Sequence, residues 1–316
     1  MLRVRSREGS MQRSIPGNMN CMNNNIESGG REDKDPVSRD HHNSYRKKLQ
    51  KGEKPLSTQE KRFMLCSERG DCASVRKMIE LYKSRDDFNI NCMDPLGRTA
   101  LSIAIINENP ELMEILLENE IKTYDSLLLA IEEEYVDGLE ILLEHEERIW
   151  KPGTPHSWEA VDPVYSSYTP DITPLILAAH KNNYEIIRIL LDQGASLPHP
   201  HNIKCSCQPC IKFLSEDSLR YSLSRLNAYR ALSSPSLISL TSQDPILTAF
   251  KLSTQLRNLA KMEAQFCQEY TSLREQVQSF ATSLLDHARS SYELEVILNF
   301  NGEQTTWTPG HHQTLG

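Results

Sequence analysis

The chain has 316 residues, a formal charge of -8 and 25% charged side chains, room for two or three packed units once its polar ends are set aside. No basic face is concentrated in it, which excludes nucleic acid as a main partner, since phosphate binding needs clustered Lys and Arg. The longest apolar stretches, 127–131 and 186–191, are short and broken by charge, whereas a bilayer span takes about 20 apolar residues, so no membrane span is expected.

Residues 1–57 mix Asn, Ser, Gly, Arg, Lys and Asp with few aromatics, too little apolar surface to offset the entropy of ordering. They are expected to form a disordered arm, and its Arg and Lys runs to be solvated. The arm lacks a secretory h-region, and the eight cysteines are scattered apart from one tight group. Both features fit a reducing, cytoplasmic setting.

From Thr58 the pattern changes to short amphipathic helices that repeat. Thr99-Ala-Leu-Ser-Ile-Ala104 followed by Glu114-Ile-Leu-Leu117 matches Thr173-Pro-Leu-Ile-Leu-Ala178 followed by Arg188-Ile-Leu-Leu191. Between them lies Asp125-Ser-Leu-Leu-Leu-Ala130 with Glu140-Ile-Leu-Leu143, and a diverged copy around Gly70, Val75 and Ile79 precedes all three. This is the pattern of ankyrin units, whose period is about 33 residues. Thr173 caps the first helix of its pair and Pro174 takes the first helical position, where a missing N–H costs nothing. Ala104, Ala130 and Ala178 let neighbouring helices approach closely, while the Ile-Leu-Leu triplets form a face that only another unit covers. Asp94-Pro-Leu-Gly-Arg98 reads as the turn before the second unit. The triplets end at Leu117, Leu143 and Leu191, so one copy is short and the next follows an insertion at 146–168. Its Trp150, Trp158, Pro163 and Tyr165 predict an ordered loop packed through aromatics, serving either as a contact surface or as cover for the stack. About four units are expected over 58–198.

Beyond Leu197 the repeat stops and other helices follow. Residues 215–232 predict one amphipathic helix with Leu219, Leu223, Leu226 and Tyr229 inward. Asp244 and Pro245 give an N-cap and a first-turn proline for a helical run from 246 to about 278. Further helical pieces are expected at 277–285 and 292–298. Either a bundle or an extension of the stack accommodates them, and residues 300–316 read as a polar tail. The fold class is therefore all-α, an ankyrin solenoid over 58–198 followed by a helical domain over 199–299.

One constellation carries chemistry. His201, Cys205, Cys207 and Cys210 lie within ten residues in a stretch without helical periodicity. They match the ligand set of a tetrahedral structural zinc, whose filled shell leaves no position for a catalytic water. The Cys-x-Cys spacing is tighter than in ordinary fingers. A redox pair of Cys207 and Cys210, His199 in place of His201, and unpaired thiols all stay open. His180, where a first repeat helix ends, reads as structural. The carboxylate runs at 132–134 and 144–147 read as solvated faces. With no nucleophile beside a base and no phosphate-binding glycine loop, no enzyme is expected.

Certain motifs have a family look. Asn89-Ile-Asn-Cys-Met-Asp-Pro-Leu-Gly-Arg98, Tyr168-Thr-Pro-Asp-Ile-Thr-Pro174, Ala178-Ala-His180 and Asn182-Asn-Tyr-Glu-Ile186 resemble the ankyrin region of the TRPC family of transient receptor potential cation channels. Pro200-His-Asn-Ile-Lys-Cys-Ser-Cys207, Asp217-Ser-Leu-Arg220, Ser224-Arg-Leu-Asn227, Ser234-Pro-Ser-Leu237, Asp244-Pro-Ile-Leu-Thr-Ala-Phe250, Leu284-Leu-Asp286 and Ala288-Arg-Ser-Ser291 resemble the linker-helix domain that follows it. The resemblance covers about 55–299. It implies the cytoplasmic base of a calcium-permeable, weakly selective channel of four subunits, at the cytoplasmic face of the plasma membrane. It also implies a zinc loop at His201, Cys205, Cys207 and Cys210, and as partners other channel subunits, in homo- or hetero-tetramers, with calmodulin or G proteins as cytosolic regulators. The arm before residue 55 has no counterpart. After Asn299, where the family continues into further helices, six spans and a pore loop, this chain has its polar tail, so a fragment of a longer subunit or a truncated product is expected. An assembly role is the leading expectation. A free-standing ankyrin adaptor and a zinc or thiol redox sensor are the alternatives.

Overall fold

The computed structural model describes residues 55–82, 88–159, 166 and 168–299. Nearly all of the expected arm, the polar tail, and Pro163 and Tyr165 of the insertion lie outside the described residues. Within them all regular structure is helical, with no strand.

Four helix pairs come first: α1 (Thr58–Glu68) with α2 (Cys72–Tyr82), α3 (Ala100–Ile106) with α4 (Pro110–Glu118), α5 (Ser126–Glu132) with α6 (Val136–Ile149), and α7 (Pro174–Lys181) with α8 (Tyr184–Asp192). Caps local in sequence start most of them. Thr99 accepts from Ser102 N, Asn109 from Leu112 N, Thr173 from Ile176 N and Asn183 from Ile186 N, with Pro110 and Pro174 in the first turns. Such a cap contributes about 1 kcal/mol. Asp125 heads α5 without a side-chain cap bond. The turn inside every pair passes through a left-handed residue: Gly70, Glu108, Glu134 and Asn182 all have positive φ. The Asp94 turn forms as expected, its carboxylate accepting from Leu96 N, Arg98 N and Arg98 Nε.

The pairs stack in series. First helices touch in the row α1, α3, α5, α7, and second helices in the row α2, α4, α6, α8. The triplet residues Leu116, Leu142, Leu143 and Leu190 are buried between them, as are Ala104, Ala130 and Ala178. Each buried leucine contributes about 2 kcal/mol of transfer free energy. The insertion begins later than expected, because α6 runs on to Ile149. Past it, the His156 ring lies between Trp150 and Trp158, with centroids 4.8 and 4.1 Å away, and Trp158 is buried in the core of the stack. Ser157 N donates to Glu146 Oε1 at 2.8 Å, fastening the loop to α6.

Downstream come α9 (Gln208–Glu216), α10 (Ser218–Leu232), α11 (Pro235–Thr241), α12 (Pro245–Met262), α13 (Cys267–Leu285) and α14 (Ser291–Leu298). Both arrangements left open by the sequence are present, one after the other. Helices α10 and α11 extend the stack as a fifth pair, α10 against α7 and α11 against α8. His180 Nε2 meets Asn227 O at 2.8 Å, Asn227 Nδ2 donates to Asp171 Oδ2 at 3.0 Å, and Ser234 Oγ donates to Asn182 Oδ1 at 2.7 Å. Helices α12 and α13 then pack on each other as a hairpin around a second core of Leu252, Leu256, Leu259, Tyr270, Leu273 and Val277.

Two expectations for this half are corrected. The run from 246 to 278 is not one helix, because it breaks at Glu263 and a 3-10 turn at Ala264–Phe266, where the chain reverses. The inward face of α10 is also different. Leu219 and Leu223 are 60% and 38% exposed, whereas Ser222, Arg225, Leu226 and Tyr229 are buried. Arg225 takes the inward position because a carboxylate waits there, as described next.

Candidate metal centre

The connection after α8 is pinned at both ends, Leu197 packing on the first core and Ile203 on the second. Between them Asn202 builds a tight turn, its Oδ1 accepting from Lys204 N at 3.0 Å and its carbonyl from Cys205 N at 2.9 Å. Cys207 then stands at the N-cap of α9, Pro209 in the first turn, and Cys210 three residues past the cap. An N-cap and the third helical residue project side chains toward each other, as in a capping box.

The result is convergence. Nδ1 of His201 lies 3.5 Å from Cys205 Sγ, 3.3 Å from Cys207 Sγ and 3.3 Å from Cys210 Sγ. All four atoms fall within 4.8 Å of one another, the one such group of His, Cys, Asp or Glu found among the described residues. A tetrahedral zinc with ordinary Zn–S and Zn–N bonds places nitrogen and sulfur about 3.5 Å apart, so the donor set has the size as well as the chemistry for that ion. The alternative ligand His199 is elsewhere, its ring edge-on to Tyr229 at 6.0 Å. Cys210 is buried, Cys205 and Cys207 are half-buried and His201 is exposed, so the site sits at the surface with one thiol rooted inward.

Behind Cys210 is a polar chain that the sequence did not reveal. Tyr221 of α10 donates its hydroxyl to Cys210 Sγ at 3.0 Å. Burial and this hydrogen bond push the phenol above its usual range, so it is a protonated donor at neutral pH. Its ring stacks on Phe213 at 6.1 Å on one side, and the Arg225 guanidinium lies 4.7 Å from its centroid. Arg225 in turn pairs with Glu263 at the α12–α13 break, with side chains 4% and 5% exposed. Tyr270 donates to the other oxygen of Glu263 at 2.6 Å. A buried pair offsets its own desolvation only when both partners are present, and stranding one charge costs about 3–5 kcal/mol. Arg225 and Glu263 are 38 residues apart, too far for any local spacing rule to connect. The one sequence signal was a glutamate interrupting an apolar run.

A second concavity, about 420 Å³, lies between α5, α6 and the insertion, lined by Leu128, Leu142, His145, Ile149 and Trp150 among others. Burial and Arg148 pull the pKa of His145 below its ordinary value. No helix of the described residues is long and apolar enough to cross a membrane.

Comparison with known proteins returns the same two regions. Family models match for ankyrin repeats in three copies over 63–152, a further ankyrin repeat over 171–202, and "Transient receptor ion channel II" over 205–267. The Drosophila melanogaster transient receptor potential protein is 58% identical over 262 residues, 82% of this chain and 20% of its own length. The mouse short transient receptor potential channel 4 is 49% identical over 258 residues, 82% of this chain and 26% of its own. A Caenorhabditis elegans transient-receptor-potential-like protein is 41% identical over 252 residues, 78% and 24%. The chain thus spans about a fifth to a quarter of the length of these relatives.

Proposed function

The chain belongs to the transient receptor potential family of ion channels, and from that premise we propose that it is the cytoplasmic ankyrin and linker-helix part of a cation-channel subunit, acting through association with other subunits. The observation that supports this reading is that identity of 49–58% extends over 82% of the chain, more than the repeats alone could fill. A free-standing ankyrin adaptor would need only the stack. Here the second core and the fifth helix pair accompany it. Calcium permeability belongs to the same proposal, as a property of the assembled channel. Co-expression with a full-length relative is the test. Co-purification together with a reduced current is the expected result, and a current and complex size both unchanged would overturn the reading.

The loop at His201, Cys205, Cys207 and Cys210 is proposed to hold one structural zinc. In support, all four donors are soft or borderline and converge at tetrahedral distances. Zinc would supply no chemistry beyond cross-linking, its four positions being filled by protein. The chain's own contribution is to hold three thiolates at a helix N-terminus and to fix the loop between the fifth pair and the stack. Elemental analysis of the purified chain is expected to give one zinc per chain, falling to near zero in Cys207→Ser. No zinc in the unaltered chain would end the proposal.

A further inference from the structure

We propose that Tyr221 is a positioning residue for the metal: its hydroxyl is an outer-sphere donor to the metal-bound Cys210 thiolate, and the guanidinium of the buried Arg225–Glu263 pair holds it in place. This rests on the zinc reading above and goes beyond it in assigning a role outside the four ligands.

The argument is geometric. Cys210 is the one thiol of the four-residue group that is buried, so water has least access to the lone pairs its sulfur does not give to a metal. Tyr221 supplies a donor at 3.0 Å. A phenol donates to a thiolate more strongly than to a neutral thiol, because hydrogen bonds with an ionised partner are about twice as strong. The hydroxyl therefore restrains the direction of the Cys210 sulfur and strengthens its hold on a metal-bound thiolate. Tyr221 itself has little freedom. Phe213 stacks on its ring with planes 8° apart, and Arg225 lies close enough for a cation–π contact. Arg225 cannot follow solvent away from that ring, because Glu263 holds it in a pocket closed by Tyr270. A ligand anchored to a helical hairpin through three side chains is better preorganised than one in a free loop.

The experiment measures zinc affinity of the whole chain by competition with a chromophoric chelator, and the thiolate-to-metal band of the cobalt form, for the unaltered protein, Tyr221→Phe and Phe213→Leu. Tyr221→Phe keeps the ring and its stacking but removes the donor. It is expected to weaken zinc about 10-fold or more and to move the cobalt band to longer wavelength, since an unbonded thiolate gives up charge more readily. Phe213→Leu, which disturbs packing and spares the hydroxyl, should leave the band in place and change affinity much less. Equal affinity and an unmoved band in Tyr221→Phe would overturn the inference, and so would an equal effect of Phe213→Leu. If the unaltered chain itself takes no zinc, it is the metal reading that has failed, and the two failures are told apart by that first measurement.

Discussion

Burial sets the chemistry of single residues in this stack, and Cys92 shows the sign most plainly. Packed in the repeat core at 5% exposure, it has its thiol pushed up from 9.0 to about 12, by loss of solvent first and then by the Glu60 and Asp94 carboxylates. Below pH 9 the folded and unfolded states both keep the proton. Between about pH 9 and 12 the unfolded thiol ionises and the folded one does not, so the unfolded state binds fewer protons and stability falls as pH rises. Buried Tyr229 and Tyr270, raised for the same reason, add to that fall. Denaturant titrations from pH 7.5 to 10.5 should show a declining midpoint, and Cys92→Ala should flatten the first part of the decline. At neutral pH, alkylation of Cys92 is expected to track global unfolding rather than local opening.

At the scale of elements, what was legible in the sequence was what is local. Thr99 and Thr173 announce helix starts within three residues of the groups they cap, and the triplets ending at Leu117, Leu143 and Leu191 are each a signature readable within one turn. The convergence of His201, Cys205, Cys207 and Cys210 was legible for the same reason, the four lying within ten residues. What was not legible depends on distance along the chain. The inward face of α10 was misread because Leu219 and Leu223 satisfy a helical period that Arg225 overrides, and Arg225 is inside only because Glu263 comes back to it from the end of α12. The hairpin itself was invisible for want of a glycine or proline at its break. Propensity is overridden again at Gly138, in the first turn of α6. Alanine there gains about 1 kcal/mol of intrinsic helix preference, but its Cβ would sit 2.2 and 2.4 Å from two ring carbons of Tyr135. Tyr135 is buried, and moving a packed ring costs about 1–3 kcal/mol. Gly138→Ala should therefore lower the melting temperature, measured by circular dichroism, where a propensity scale alone says it should rise.

For the molecule as a whole, the fifth pair decides where the stack can end. Repeat arrays need terminal units whose outer face tolerates water, and α7 and α8 do not qualify: Leu175, Leu177, Ala179 and Ile187 are buried, and α10 and α11 pack on these two helices. A chain cut after residue 198 would expose that face and leave the acceptors and donors of Asn182 and His180 without Ser234 and Asn227. Such a piece should elute as self-associated species in size-exclusion chromatography and melt at lower temperature than one reaching residue 299. An intact profile would show instead that the four pairs are self-sufficient.

The loop after α6 leaves the series without breaking it, since α5 still meets α7 directly and α6 still meets α8. In its first, exposed stretch a Cβ added at Gly153 would meet nothing within 4 Å. Extra length spliced there would ride on the outside, with Trp158 still rooted beneath it. That makes the segment at 153, with its glycine kept, a natural socket for an inserted epitope, through which the motion of the neighbouring helices could be watched without altering the pitch at which they are laid down.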